Sequence, residues 1–221
     1  MIISSISYKG GVGKSTIARN LAVFFATKGY KVCIVDADES QVTVKWSGVR
    51  MDKEIKPVIQ VIGMTDPKAL MGTVKQLYND YDIVVIDSPP SYHPISVKIM
   101  LISHLILMPI KPTGRDELET AKDLLERYSE AMELKDEKTL AYFVVNEFNP
   151  RPSFHKSFVA ILSEIGQEYN APVMETYLHY RPAVYSECSA KGIGVIEHNN
   201  KVAKKEFSNL ANTIIQIGEN L

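Results

Sequence analysis

Residues 2–16 read IISSISYKGGVGKST: a short apolar run, then eight residues from Lys9 to Thr16, three of them glycine. Strand, glycine-rich turn and helix in that order make a cradle for phosphate groups. Gly10, Gly11 and Gly13 let the backbone approach an anion with no Cβ in the way. Lys14 is placed to reach terminal phosphates and the Ser15 hydroxyl to ligate Mg²⁺, with Val12 and Thr16 completing the loop. The following helix aims its free N–H groups and positive dipole end at the same anion.

The strict pattern GxxxxGK[ST] wants a glycine five positions before Gly13, where Tyr8 stands instead. A second lysine, Lys9, lies directly ahead of the paired glycines; on composition alone it reads equally well as a solvated loop lysine. All of KGGVGKST matches the deviant Walker A loop of the ParA/MinD ATPases, and the chain resembles that family. The resemblance implies ATP and Mg²⁺, slow hydrolysis to ADP and phosphate, and an ATP-dependent homodimer in which Lys9 reaches the partner's phosphates.

Outward from the loop, apolar runs alternate with helix-length segments, the pattern of a mostly parallel sheet covered on both faces. Strands are expected at Ile2–Ser7, Lys31–Asp36, Val58–Ile62, Asp82–Asp87, His104–Pro109 and Leu140–Asn146, with further ones at Pro172–Glu175 and Gly194–Glu197. This predicts an α/β fold of P-loop NTPase type with about seven or eight strands. One domain over residues 1–221 is expected from the length. Helical spacing groups Ile17, Leu21, Phe24 and Phe25, then Leu118, Ala121, Leu124, Leu125 and Tyr128, then Ala203, Phe207, Leu210, Ala211 and Ile214. Thr113 with Asp116 three residues on has the look of a helix cap.

Ligands in such sheets bind beyond the carboxyl ends of the strands, and three of these ends carry acids or amides. Asp36-Ala37-Asp38 closes the second strand; alone it could be a helix cap, but beside a phosphate loop it can orient Mg²⁺-bound or attacking water. Ile83-Val84-Val85-Ile86-Asp87 delivers one carboxylate from four buried aliphatics, suited to holding a water on Mg²⁺. Asn146 ends another strand, where an asparagine is ordinarily a turn residue.

By resemblance, Asp38 positions the attacking water, so the catalytic set is Lys9, Lys14 and Asp38. The metal's surroundings are Ser15, Asp36, Asp38 and Asp87, with Asp36 in support, and Asn146 hydrogen-bonds the adenine. The family continues its D-x-D element as Pro-Gln; here Glu39 and Ser40 stand there, with Gln41 one place later. Ser88-Pro89-Pro90 follows the family's stiff turn, and Trp46 matches the tryptophan of many short ParA proteins.

The formal net charge is −1, so no global basic field announces nucleic acid and any such surface must be a local patch. Lys201, Lys204 and Lys205 share one helical face. By resemblance they and Arg181 would hold nonspecific double-stranded DNA in the ATP-bound dimer, and they equally suit a solvated face. A centromere-binding ParB-type protein is then the expected partner, and plasmid partition the expected role. A MinD-like membrane switch is the competing reading, yet Ile214–Leu221 resembles the end of a packed helix rather than a basic amphipathic extension. Cys33 lies inside a strand, which argues against a cluster-bearing iron–sulfur reductase. The chain opens on a predicted strand and has no apolar stretch near ~20 residues, so a cytoplasmic, nucleoid-associated protein with no leader and no membrane contact is expected.

Overall fold

The computed structural model describes residues 1–90, 94–137 and 139–220. Strands β1 (Ile2–Ser5), β2 (Val32–Asp36), β3 (Gln60–Gly63), β4 (Ile83–Asp87), β5 (Leu105–Ile110) and β6 (Leu140–Val145) form one parallel sheet, ordered β3-β2-β4-β1-β5-β6. Helices α1 (Lys14–Thr27), α2 (Val42–Asp52), α3 (Pro67–Asp80), α4 (Pro94–Ile102), α5 (Arg115–Glu133), α6 (Ser153–Glu168), α7 (Pro182–Lys191) and α8 (Lys201–Gly218) lie between and after them.

β4 shows why the sheet sits at the centre. All five of its residues are buried, with Val84 and Ile86 facing one apolar layer and Ile83 and Val85 the other. A strand clothed on both faces needs no polar alternation. The first layer takes Leu70, Ile99, Leu125 and Leu162 from α3, α4, α5 and α6. The second takes Leu21, Trp46, Cys188 and Phe207 from α1, α2, α7 and α8.

From β1 the chain moves one way to β2, and from β4 it returns across β1 to β5. The phosphate loop therefore leaves β1 where the winding reverses, the usual ligand crevice of an open α/β sheet. Register aligns the strand ends: Ser5 and Asp36 both pair with Asp87.

Six strands form among the described residues, two fewer than the longest expectation. Pro172–Glu175 touches β6 only through a Phe143–Val173 bridge, and Pro172 has no N–H to extend the ladder. Gly194–Glu197 instead makes a 3₁₀ turn at Val195–Glu197, because the Glu197 carboxylate folds back to accept the Gly194 N–H at 2.7 Å. The expected capping by Thr113 and Asp116 also fails. Gly114 precedes α5 without a side-chain cap, Thr113 donates to Glu117 Oε1 at 3.2 Å, and Asp116 faces Lys9. Leu221 lies outside the described residues.

Candidate nucleotide site

Gly13 takes φ 107°, a left-handed conformation, and a Cβ there would run into the Asn146 amide. Asn146 Nδ2 donates to Val12 O at 2.8 Å, so the end of β6 props the loop from behind. α1 has no side-chain cap and no acid in its first turn, which leaves its first N–H groups available to an anion. Lys14 is 6% exposed and donates to Lys9 O at 3.0 Å. Burial pulls its pKa below the usual lysine value, against the pull of Asp87 and Asp38. A phosphate would supply the counter-charge that burial makes valuable.

Asp87 is fully buried, and its Oδ2 accepts from the Thr43 hydroxyl at 2.7 Å. Its Oδ1 is buried with no hydrogen-bond partner, and burial pushes the carboxyl up to about 6. An orphaned buried carboxylate oxygen in the neighbourhood of Ser15 fits a water on a hard divalent cation. Asp36, expected in support of the metal site, is held by backbone N–H groups. Its Oδ1 accepts from Asp38 N at 3.2 Å, and its Oδ2 from Thr43 N at 3.0 Å and Val44 N at 3.1 Å. Oδ2 thus holds the start of α2 and Oδ1 the loop before it; burial raises its pKa while those N–H groups pull it back. Asp38 accepts from Ser40 N at 2.8 Å and lines a cavity of about 270 Å³ with Gly10, Gly11, Gly13, Lys14, Ser15, Thr16, Val42 and Pro90.

Lys9 Nζ lies 2.5 Å from Asp116 Oδ2 and 3.7 Å from Glu117 Oε1. The Asp116 hydrogen bond holds Lys9 above the usual lysine value and Asp116 below the carboxylate range. Lys9 and Lys14 are therefore brought to one loop, but the Lys9 ammonium is tied to α5 of its own chain.

A second cavity, also about 270 Å³, shares Gly11, Gly13 and Thr16 and runs past Asn146 to Glu147, His179, Arg181 and Tyr185. The two make one trough, with phosphate-type donors in the first and a polar, aromatic wall in the second. Arg181 belongs to this wall: its Nη2 holds Glu206 Oε2 at 3.1 Å, and His179 Nδ1 shares the same oxygen at 2.9 Å. Glu206 lies on α8, so the pair joins Arg181 to the helix that carries Lys201, Lys204 and Lys205. Lys201 and Lys205 are exposed and Lys204 half-buried at the start of α8. A larger cleft of about 440 Å³ at the C-terminal end of α2 contains no phosphate-loop residue.

Sequence reasoning missed Thr43, Arg19, Glu147, His179 and Tyr185. Thr43 had one signal: it falls where a helix capped by Asp36 would begin.

Residues 3–195 match the family described as the CobQ/CobB/MinD/ParA nucleotide-binding domain. A probable plasmid-partitioning protein ParA of Thermus thermophilus is 22% identical across 97% of this chain and 78% of its own length. Among solved structures, apo McdA of Cyanothece superposes with a TM-score of 0.79 at 17% identity, covering 96% of this chain and 98% of that one. A plasmid partition protein of Borrelia burgdorferi bound to AMPPNP gives 0.74 at 20% identity, covering 97% and 98%. Among the described residues, no helix is long and apolar enough to cross a membrane. A loop of this form at the reversal of a parallel sheet, with the family match over most of its length, makes the chain a member of the CobQ/CobB/MinD/ParA nucleotide-binding family, as an ATPase of the ParA/MinD type.

Proposed function

We propose that this chain is an ATP-dependent dimerising switch. In its ATP-bound state it holds nonspecific double-stranded DNA and drives segregation of a plasmid or similar cargo, and a centromere-binding ParB-type partner stimulates hydrolysis. It works in the cytoplasm, on the nucleoid. The observation that carries the reading is Lys9. Its ammonium stands at the open edge of a phosphate cradle, tied to its own chain by the exposed Asp116 pair and a longer approach to Glu117 at 3.7 Å. Such pairs are weak and screened by salt, so Lys9 is free to exchange Asp116 for a phosphate on a second copy. The name carried by the Thermus relative supports the same role.

Catalysis by such a site is positioning plus electrostatics. Gly10 to Thr16 and the first turn of α1 donate backbone N–H groups to the phosphates. Lys14, and the second copy's Lys9, neutralise charge developing on the β- and γ-phosphate oxygens. Asp38 orients the attacking water, and Asn146 holds the loop while its remaining polar edge faces the base. Mg²⁺ would be held by Ser15, with Asp87 fixing one of its waters and Asp38 near by, and would supply positive charge to the phosphate groups. The apolar stripe of α8, Ala203, Phe207, Leu210, Ala211 and Ile214, is buried in the core and so is not free for a lipid surface.

Lys9→Ala tests the reading. The variant should bind ATP, stay monomeric with it, and lose partner-stimulated turnover by at least about 10³-fold, as when an arginine finger is removed. Phosphate release and light scattering give both readouts. An unchanged rate would remove Lys9 from the mechanism.

A further inference from the structure

α2 touches the nucleotide site at one end and the chain entering α8 at the other. At its start, Thr43 is bound by both Asp87 and Asp36. Seven residues on, Arg50 is 2% exposed and uses every donor group. Nε and Nη2 reach Pro57 O at 3.1 and 3.0 Å, Nη1 reaches Gly192 O at 3.1 Å, and both Nη atoms hold the Glu197 carboxylate at 2.8 Å. Gly192, at φ 72°, comes so close that a Cβ would lie 2.7 Å from Arg50 N. Four residues beyond Glu197, Lys201 opens α8.

Trp46, the single tryptophan, ties this clasp to the phosphate loop. The Arg50 and Arg19 guanidinium carbons lie 5.7 and 5.9 Å from its ring centroid. Arg19 in turn donates to Ser15 O at 3.0 Å and to the Ser189 hydroxyl of α7 at 3.1 Å. Asn20 makes a parallel tie, donating to Thr16 O at 2.7 Å and accepting from Val195 N at 2.5 Å. Residues 192–197 are thus gripped by the two helices that begin at the nucleotide.

We propose that the Arg50–Glu197 pair, stacked through Trp46, carries the nucleotide state from the Asp87–Thr43 contact to the first turn of α8, and so sets how Lys201, Lys204 and Lys205 are presented. The reasoning is mechanical. Thr43 donates to Asp87 Oδ2 while Oδ1 has no partner, and the two belong to one planar carboxylate, so a water taken up by Oδ1 on the ligand side re-aims the oxygen that Thr43 holds. α2 is short and rigid, so a shift at Thr43 reaches Arg50. A buried, two-pronged ion pair is costly to break, so the 192–197 segment moves with Arg50 rather than away from it. The functional meaning of the lysines rests on the DNA-holding function proposed above; the coupling itself does not.

The test uses the full chain with Mg²⁺ and either ADP or a non-hydrolysed ATP analogue. Trp46 emission reports the upstream end, and backbone hydrogen exchange over residues 198–206 the downstream end, both without DNA. In the wild type both should differ between the two nucleotides. Glu197→Gln should keep the Trp46 response and the nucleotide affinity within about threefold, lose the exchange difference, and lower the ATP-over-ADP ratio of DNA affinity at least about fivefold. Glu197→Asp, which keeps the charge, should restore part of the exchange difference. A merely structural clasp would alter stability and leave the nucleotide-dependent difference in place.

A wild-type exchange response in Glu197→Gln overturns the proposal, as does a wild-type Trp46 emission identical with both nucleotides. Should Glu197→Gln fail to fold, Glu197→Asp decides: its shorter reach to Arg50 should damp the exchange difference, and an undamped one overturns the coupling. A wild type that shows the exchange difference but no DNA binding would fault the DNA function and leave the coupling standing.

Discussion

The Asp87 carboxyl is held at about 6 by burial, whereas an unfolded aspartate titrates near ~3.9. The folded chain therefore binds this proton more tightly than the unfolded one. The stability contributed is fully present below the unfolded value and lost as pH rises through about 6. For the nucleotide-free protein the loss amounts to at most about 3 kcal/mol, two pKa units at ~1.36 each. Asp87→Asn should accordingly raise the melting temperature at pH 7.5 and flatten its pH dependence, with calorimetry as the check; a lower melting temperature there would contradict the account. Magnesium–nucleotide affinity runs the other way. Binding must expel the proton, so wild-type affinity should fall roughly tenfold per pH unit below about 6. Asp87 was legible because four aliphatics deliver it to a strand end. Thr43 was not, because its place depends on Asp36 capping α2 from a neighbouring element. The Arg181–Glu206 pair was not legible for the same reason: only packing sets Arg181 against α8.

At the scale of elements, α8 is amphipathic in a way the 3.6-residue period announces. Phe207, Leu210 and Ile214 are buried, and the basic residues of its first turn face outward. Lys204→Glu with Lys205→Glu should leave the fold and basal hydrolysis intact and abolish ATP-dependent retention on nonspecific DNA. Retention weakened only partly should show a salt slope shallower by about 2, one for each lost phosphate contact. Retention unchanged in both size and slope would exclude this face. The six strands of the sheet lie where apolar runs put them, within two residues at most at either end. The two expected strands that failed, Pro172–Glu175 and Gly194–Glu197, are short, and short runs are decided by their partners. The first lacks a donor at Pro172. In the second, Glu197 is claimed by Arg50, a residue 147 positions away in sequence.

At the scale of the whole molecule, Lys9 and Lys14 share a loop but point to different tasks, one buried in the cradle and one at its rim. Asp38→Ala, which removes the carboxylate proposed to orient the attacking water, should bind ATP without turning it over and so accumulate as a dimer. Scattering should then report twice the 24.8 kDa chain mass with ATP and a single chain with ADP. Single chains under both conditions would contradict the ATP-dependent dimer. The sequence by itself determined the α/β fold and the cradle, because glycine spacing, a capless helix start and buried aliphatic runs act locally and need no distant partner. Tertiary structure alone decided that Asp36 caps α2, that Asp116 holds Lys9, and that Arg50 grips Glu197. The last two join charges far apart along the chain and the first joins a strand end to the next helix, so their pairing follows from strand order and register rather than from the helical or strand period of any one segment.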